Sequence, residues 1–274
     1  MAGLEENSIK AVLDKVSGLI PGLDMTVSPP EMAMSIHRII REETGNPDPY
    51  LMIKTESNRK ALAAYPQFKA AVSRAENYLQ EAVRIAIAGN IIDYGAIADL
   101  DLNRELAAIT RQDRTGKINN RLLHFPDFSE RIRKAHTILY LGDNTGEIVF
   151  DRILIESILS HYPDKHFVFA VRGAPAINDC LVSDAKECGI SEIARVVSNG
   201  SEAPGTLLKL CSGEFLTAWQ ECDLVISKGQ GNFESLYQTG LTGKKIYYLF
   251  VVKCRIVAAR LGCAIREPVL LKGN

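Results

Sequence analysis

From Thr137 onward the chain carries short apolar runs at Thr137–Leu141, His166–Val171, Ala194–Val197, Asp223–Ser227 and Lys245–Val252. Most of the gaps between them are long enough for a helix. Apolar runs without polar alternation are buried on both faces, and strands separated by helices pair in parallel. The pattern therefore predicts an α/β fold with a parallel sheet covered on both sides. Glu267-Pro-Val-Leu-Leu reads as a final edge strand, since Pro268 removes one ladder donor.

Nothing before His136 reads as a strand. Ile9-Lys-Ala-Val-Leu-Asp-Lys-Val-Ser-Gly-Leu-Ile has apolar residues at helical spacing, ended by Pro21-Gly22. Ser28-Pro29-Pro30-Glu31 opens the next helix, with Ser28 as N-cap and Glu31 at the capping-box position. That helix runs to Thr44, where Gly45-Asn46-Pro47-Asp48-Pro49 stops it. Another helix follows Pro49, and a longer one is expected from Pro66 to Ala88. Asp113-Arg-Thr-Gly-Lys is the best linker candidate. With 274 residues, two domains sharing a cleft are expected: a helical domain over 1–130 and an α/β domain over 131–274.

The net charge of −1 gives no electrostatic footprint for nucleic acid. No apolar stretch approaches the roughly 20 residues that span a bilayer, and the amino terminus lacks a signal peptide's basic and apolar regions. A cytoplasmic protein is expected, with no membrane and no nucleic-acid partner. All six cysteines lie in the second half, too widely spaced for a Cys-x-x-Cys knuckle, and read as reduced, packed thiols. Cys180, beside Asp179, is a nucleophile candidate without an evident His partner. The five histidines show no metal-ligand spacing.

The chemistry gathers where strands end, which is where open α/β sheets bind ligands. After Thr137–Leu141 comes Gly142-Asp143-Asn144-Thr-Gly146-Glu147. Asp143 and Asn144 are hard oxygen donors, Gly146 permits close backbone approach, and the helix start favours an anion. After His166–Val171 comes Arg172-Gly173-Ala-Pro175-Ala-Ile-Asn178-Asp179. Asp179 could complete a two-carboxylate, one-amide set that suits magnesium better than zinc. Ser227-Lys228-Gly229-Gln230-Gly231-Asn232-Phe233-Glu234 follows the fourth run. Gly229 and Gly231 allow N–H groups to face an anion and Lys228 adds a cation, although no Walker A order is present. In the helical half, Ala88-Gly89-Asn90-Ile-Ile-Asp93 places two polar side chains three apart near a helix end, where capping is the ordinary role.

These four motifs, in this order, together with Thr44-Gly-Asn-Pro-Asp-Pro-Tyr50, resemble the domain-of-unknown-function 89 family, the metal-dependent damage-control phosphatases. The resemblance covers most of the chain. It implies a helical domain packed on a Rossmann-like three-layer α/β/α domain, with a divalent cation in the cleft held by Asp143, Asn144 and Asp179. Magnesium or manganese is expected, with cobalt or nickel as alternatives. It also implies hydrolysis of small phosphate monoesters, such as sugar phosphates or damaged phosphometabolites. Lys228 would contact phosphate, and Asn90 and Asp93 would reach into the cleft. Members of the branch it most resembles often begin with a Cys-x-x-Cys segment. The first cysteine here is Cys180, so no role tied to that segment is carried over.

Two routes remain open on these residues: attack by water with Asp179 or Asp93 as base, or an aspartyl-phosphate on Asp143. Glu147 either favours the helix dipole or holds a ligand water, and Arg172 is a phosphate clamp or an ion-pair partner. Asn232 steadies its loop or contacts ligand, and Glu234 starts a helix. The runner-up class is an S-adenosylmethionine-dependent carboxyl methyltransferase, because a strand ending in Leu-Gly-Asp143-Asn-Thr-Gly resembles a cofactor loop. Its second strand, however, ends in Arg172 and not in a ribose-binding acid. A non-catalytic metal or sugar-phosphate binder is the third class.

Overall fold

A computed structural model describes residues 6–24, 26–89, 123–237 and 245–273. Six strands form one sheet: β1 (Thr137–Leu141), β2 (His166–Val171), β3 (Arg195–Ser198), β4 (Leu224–Lys228), β5 (Ile246–Val251) and β6 (Pro268–Lys272). The order is β3-β2-β1-β4-β5-β6, with the first five parallel and β6 antiparallel to β5. Pro268 pairs with Val251 at the first position of β6, where its missing N–H does least harm. The expected five runs are thus five strands, with boundaries displaced by at most one residue. The order in which successive strands are laid down reverses between β1 and β4, so the crevice at their carboxyl ends is the switch point where such folds take ligands.

The helices are α1 (Glu6–Leu19), α2 (Pro29–Thr44), α3 (Leu51–Arg74), α4 (Tyr78–Gly89), α5 (Phe125–Lys134), α6 (Glu147–His161), α7 (Val182–Glu187), α8 (Gly213–Glu221), α9 (Gln230–Leu236) and α10 (Arg255–Leu261). One sheet face, with Ile138, Tyr140, Leu224, Ile226 and Leu249, packs against α3, α4, α5 and α6 in a single apolar cluster. The other, with Leu139, Val225, Tyr248 and Phe250, packs against α8, α9 and α10, with Trp219 and Phe215 in that layer. Among the described residues, no helix is long and apolar enough to cross a membrane.

Two helix expectations are corrected. The helix expected over Pro66–Ala88 is two helices: Pro66 lies inside α3 and the break falls at 75–77. The start of α4 is fixed by Asn77, whose Oδ1 accepts the Gln80 N–H at 3.0 Å. Ser28 does occupy the N-cap position of α2, but it forms no capping bond. Among the described residues its hydroxyl is buried without a partner, and Glu31 pairs with Lys209 at 2.5 Å instead of closing a capping box. The end of α2 is as expected, with Gly45 in the left-handed region as C-cap. The linker candidate at 113–117 lies outside the described residues.

Candidate active site

The loops after β1 and β2 are zipped together. Cys180 N–H donates to the Asp143 carbonyl at 2.8 Å, Thr145 N–H donates to the Asn178 carbonyl at 2.9 Å, and Asn144 and Asp179 form an isolated antiparallel bridge. Asp143, Asn144 and Asp179 are thereby set side by side at the carboxyl edge of the sheet, all nearly buried. The neighbouring β4 contributes Gly229, at φ +79°; a Cβ there would stand 1.9 Å from Asp143 Oδ2. Only a glycine lets this backbone pass so close to the carboxylate.

Burial pushes the Asp143 carboxyl well above its usual range, and the charges of Glu147 and Asp179 push it further; Arg172 and Lys253 act in the opposite sense. The Asn144 amide donates to Asp143 Oδ2 at 2.9 Å and to Glu147 Oε2 at 3.3 Å, so its carbonyl oxygen is the end left for a ligand. Two crowded, buried carboxylates beside an amide oxygen suit a hard divalent cation, whose charge would relieve the repulsion. Among the described residues no group of three His, Cys, Asp or Glu side chains forms a metal cage. The donor set here fits a cation that keeps several waters. Arg172 is itself buried, with Nε on Asp179 Oδ2 at 2.5 Å and Nη2 3.5 Å from Asp143 Oδ1. Of its two expected roles, the structure provides the ion pair, although a buried one.

The structure moves Lys228 out of the expected phosphate-binding position. Its ammonium is fully buried beneath the site and bonds to Glu147 Oε1 at 2.6 Å, Asp151 Oδ1 at 2.5 Å and the Ala86 carbonyl at 2.9 Å. All three donors are used within the protein. Burial disfavours the charged ammonium, but Asp151 and Glu147 outweigh it and hold the pKa above its ordinary value. Tyr140 donates to the same Asp151 oxygen at 2.8 Å, and burial pushes the Asp151 carboxyl up to about 7. Glu147 therefore bridges Lys228 and Asn144.

Of the two readings of Asn232, the structure provides the loop staple and not the ligand contact. Asn232 is fully buried, donates to the Lys228 and Gly142 carbonyls at 2.8 and 3.2 Å, and accepts from Thr206 at 2.8 Å. The Gly229 N–H is spent on the Leu249 carbonyl and does not face an anion. Gly231 lines the cleft, but what forbids a side chain there is the Pro204 carbonyl, 2.4 Å from where its Cβ would be. Burial drives the Cys180 thiol well above its ordinary range, against a nucleophilic role.

A cleft of about 380 Å³ opens over Asp143, Asn144 and Asp179. Sequence reading missed much of its wall. Pro29, Pro30 and Ala33 come from the start of α2 and the exposed Lys253 from beyond β5; Gln230 and Glu234, from the recognised loop after β4, also line it although no ligand role was read for them. Lys253 was legible in principle, directly following a recognised strand on the same sheet edge. Helix α2 is tied over the site by Arg41, which donates to the Pro175 carbonyl at 2.6 Å and, with Arg38, pairs with Glu202. Ile177, also in the wall, sits at φ +46°, a strained conformation for a β-branched residue and one that clusters at ligand sites.

The helical half reaches the site through Asn58 of α3. Its buried amide accepts the Gly146 N–H at 2.8 Å and donates to Asp184 and Glu187, each at 3.0 Å. One turn earlier, buried Lys54 pairs with Asp48 at 2.9 Å, and Asp48 also accepts the Tyr50 N–H at 3.1 Å. The Asn46-Pro-Asp48-Pro-Tyr50 segment thus serves as a scaffold for α3. Asn90 and Asp93 lie outside the described residues.

Similarity to known proteins agrees with this geometry. Residues 1–269 match the model of the damage-control phosphatase ARMT1-like domain. The chain is 37% identical over 248 residues to the uncharacterized protein MJ0202 of Methanocaldococcus jannaschii, covering 89% of this chain and 80% of that protein. It is 34% identical over 221 residues to the damage-control phosphatase PH1575 of Pyrococcus horikoshii, covering 79% and 72%. A damage-control phosphatase of Archaeoglobus fulgidus is 32% identical over 243 residues, covering 87% and 80%. The crystal structure of PH1575, described as a DUF89 family protein, superposes with a TM-score of 0.84 and 27% identity, covering 100% of this chain and 92% of that one. The strand-end loops, their acid and amide residues and these similarities lead to one conclusion: the chain belongs to the damage-control phosphatase ARMT1-like (DUF89) family.

Proposed function

We propose that this protein is a metal-dependent phosphatase acting on small phosphate monoesters, sugar phosphates or damaged phosphometabolites, with the cation held by Asp143, Asn144 and Asp179. The observation that carries the reading is the bridge between the β1 and β2 loops, which presents two carboxylates and an amide together against Gly229. The names of the relatives support the phosphatase part. A divalent cation bound there, magnesium or manganese with cobalt or nickel as alternatives, would supply Lewis acidity toward a phosphoryl oxygen.

The chain's own side chains bind and orient. Lys253, on the cleft wall, takes the phosphate-binding role in place of Lys228. Arg172 holds Asp179 in position through its Nε. Glu147 and Lys228 fix the Asn144 amide from below. Attack by water and attack by the Asp143 carboxylate are separated by a single turnover in oxygen-18 water: label in Asp143 identifies the aspartyl-phosphate route.

The function is tested by screening phosphomonoesters with magnesium, manganese, cobalt and nickel against a chelator control. Phosphate release is expected only with metal, and it should be lost in folded Asp143→Ala and Asp179→Ala variants. Metal-independent release, or activity retained in both variants, refutes the assignment. S-adenosylmethionine binding without phosphate release would return the reading to a methyltransferase.

A further inference from the structure

On the phosphatase reading, the cleft must also hold the alcohol half of the substrate, and we propose that Glu234, steadied by Gln230, recognises hydroxyl groups on that half. Both residues belong to α9, four positions apart and so on one helix face. The opposite face is fixed in the protein by Asn232, Phe233 and Leu236. The Gln230 and Glu234 face lines the same cleft as Asp143 and Lys253.

Gln230 is held at both ends. Its carbonyl oxygen accepts the Lys253 backbone N–H at 2.8 Å, and its amide donates to Glu234 Oε1 at 2.7 Å. Glu234 is thereby positioned relative to the segment that carries the Lys253 side chain. Among the described residues Glu234 has no ion pair, and Oε2 has no hydrogen-bond donor, although it is not sealed from solvent. Burial raises the Glu234 carboxyl, the Gln230 bond opposes that, and Arg260 acts only through its charge. A partly desolvated carboxylate oxygen facing a cleft accepts hydroxyl protons in charge-assisted bonds, and it repels a phosphate dianion. A cation held by Asp143, Asn144 and Asp179 would draw the phosphate to that side, away from Glu234. Among the described residues of the wall, Pro29, Pro30, Ala33 and Pro204 offer no side-chain hydrogen bonds, whereas Gln230 and Glu234 of α9 present polar ends to the cleft.

The experiment compares kcat/KM for a hydroxyl-rich ester, ribose 5-phosphate, with that for p-nitrophenyl phosphate. Wild type, Glu234→Gln and Glu234→Ala are assayed, with the manganese Kd of each measured by titration. Removing an acceptor that bonds a substrate hydroxyl is expected to lower the sugar-to-aryl ratio about 10- to 100-fold in Glu234→Ala, chiefly through KM, with Glu234→Gln between it and wild type. The manganese Kd is expected to stay within about threefold, as a group outside the cation's donor set requires. An unchanged ratio in both variants overturns the proposal, as does a wild type that hydrolyses only the aryl ester. A manganese affinity that collapses in Glu234→Ala also overturns it, by making Glu234 a metal ligand. A wild type that releases phosphate from neither ester fails the phosphatase reading itself, and the proposal falls with it.

Discussion

Replacing Gly229 with alanine isolates the contact on which the candidate site depends. At φ +79° and ψ 158° the residue occupies a region nearly closed to other amino acids, and holding alanine there costs about 1–3 kcal/mol. For a chain of this size that corresponds to a loss of roughly 2–12 °C in Tm. The local effect is larger. The new Cβ would lie 1.9 Å from Asp143 Oδ2 and 2.2 Å from Cγ, so the carboxylate must leave its present rotamer or the end of β4 must move. A displacement of about 1 Å in a catalytic constellation costs on the order of 100-fold in rate. The variant should therefore unfold cooperatively with a modestly lower Tm, bind manganese much more weakly and lose at least 100-fold in phosphate release. Gly213→Ala is the control, because among the described residues nothing lies within 4 Å of its Cβ position and its backbone is not in the left-handed region. Thermal melts, manganese titration and phosphate release are measured on both. Wild-type activity in Gly229→Ala would refute the reasoning, whatever its Tm, because the predicted collision would then not disturb the site.

Other consequences follow from the network beneath the cleft and from the two parts of the chain it joins. Lys228→Met strands the buried Glu147 and Asp151 carboxylates and should cost about 3–5 kcal/mol in urea unfolding, with part recovered on adding Asp151→Asn; near-wild-type stability would contradict the network. Asn58→Ala removes the acceptor of the Gly146 N–H and should cost about 1–3 kcal/mol while weakening manganese binding, both read in the same titrations. Asp127, on α5, is held below the usual carboxylate range by the Tyr247 hydroxyl and then by Lys272. Because its folded pKa is lowered, its stabilising contribution is present at neutral pH and lost as pH falls through about 4 and below. The Tm difference between wild type and Asp127→Asn should narrow over that interval, and a difference constant down to pH 2 would exclude the linkage.

Much of the fold was legible because its main signal is coarse. Val, Ile, Leu and Phe runs bounded by polar turns need no exact boundary to be recognised as buried parallel strands. The helical half was less legible where one signal competed with another. Pro66 reads as a start, yet within α3 the packing of Ala61, Phe68 and Val72 on the core holds one helix through it. Asn77 looked like any polar residue in a helical pattern, and only its bond to Gln80 identifies it as the cap. The acids and amides of the site were legible because strand ends announce them, whereas the pairing that joins Asn144 to Asp179 is a long-range contact with no local signature.

The two lysines show where a finer reading of the same sequence would have succeeded. Leu224 and Ile226 face α4 and α6, and in a strand the residues two apart share a face, so Lys228 belongs with them. Tyr140 follows Ile138 onto that face of β1; of Glu147 and Asp151, four apart on α6, both meet Lys228 and Asp151 also meets Tyr140. A lysine that is still within the sheet at its last residue is thus delivered under the site, where only buried carboxylates make its charge tolerable. Lys253 lies two residues past the end of β5, released from the alternation, with its backbone N–H held by Gln230 and its side chain at the cleft wall. Glycine and charge after a strand indicate a ligand loop; whether the charged residue has left the sheet decides whether it can meet the ligand.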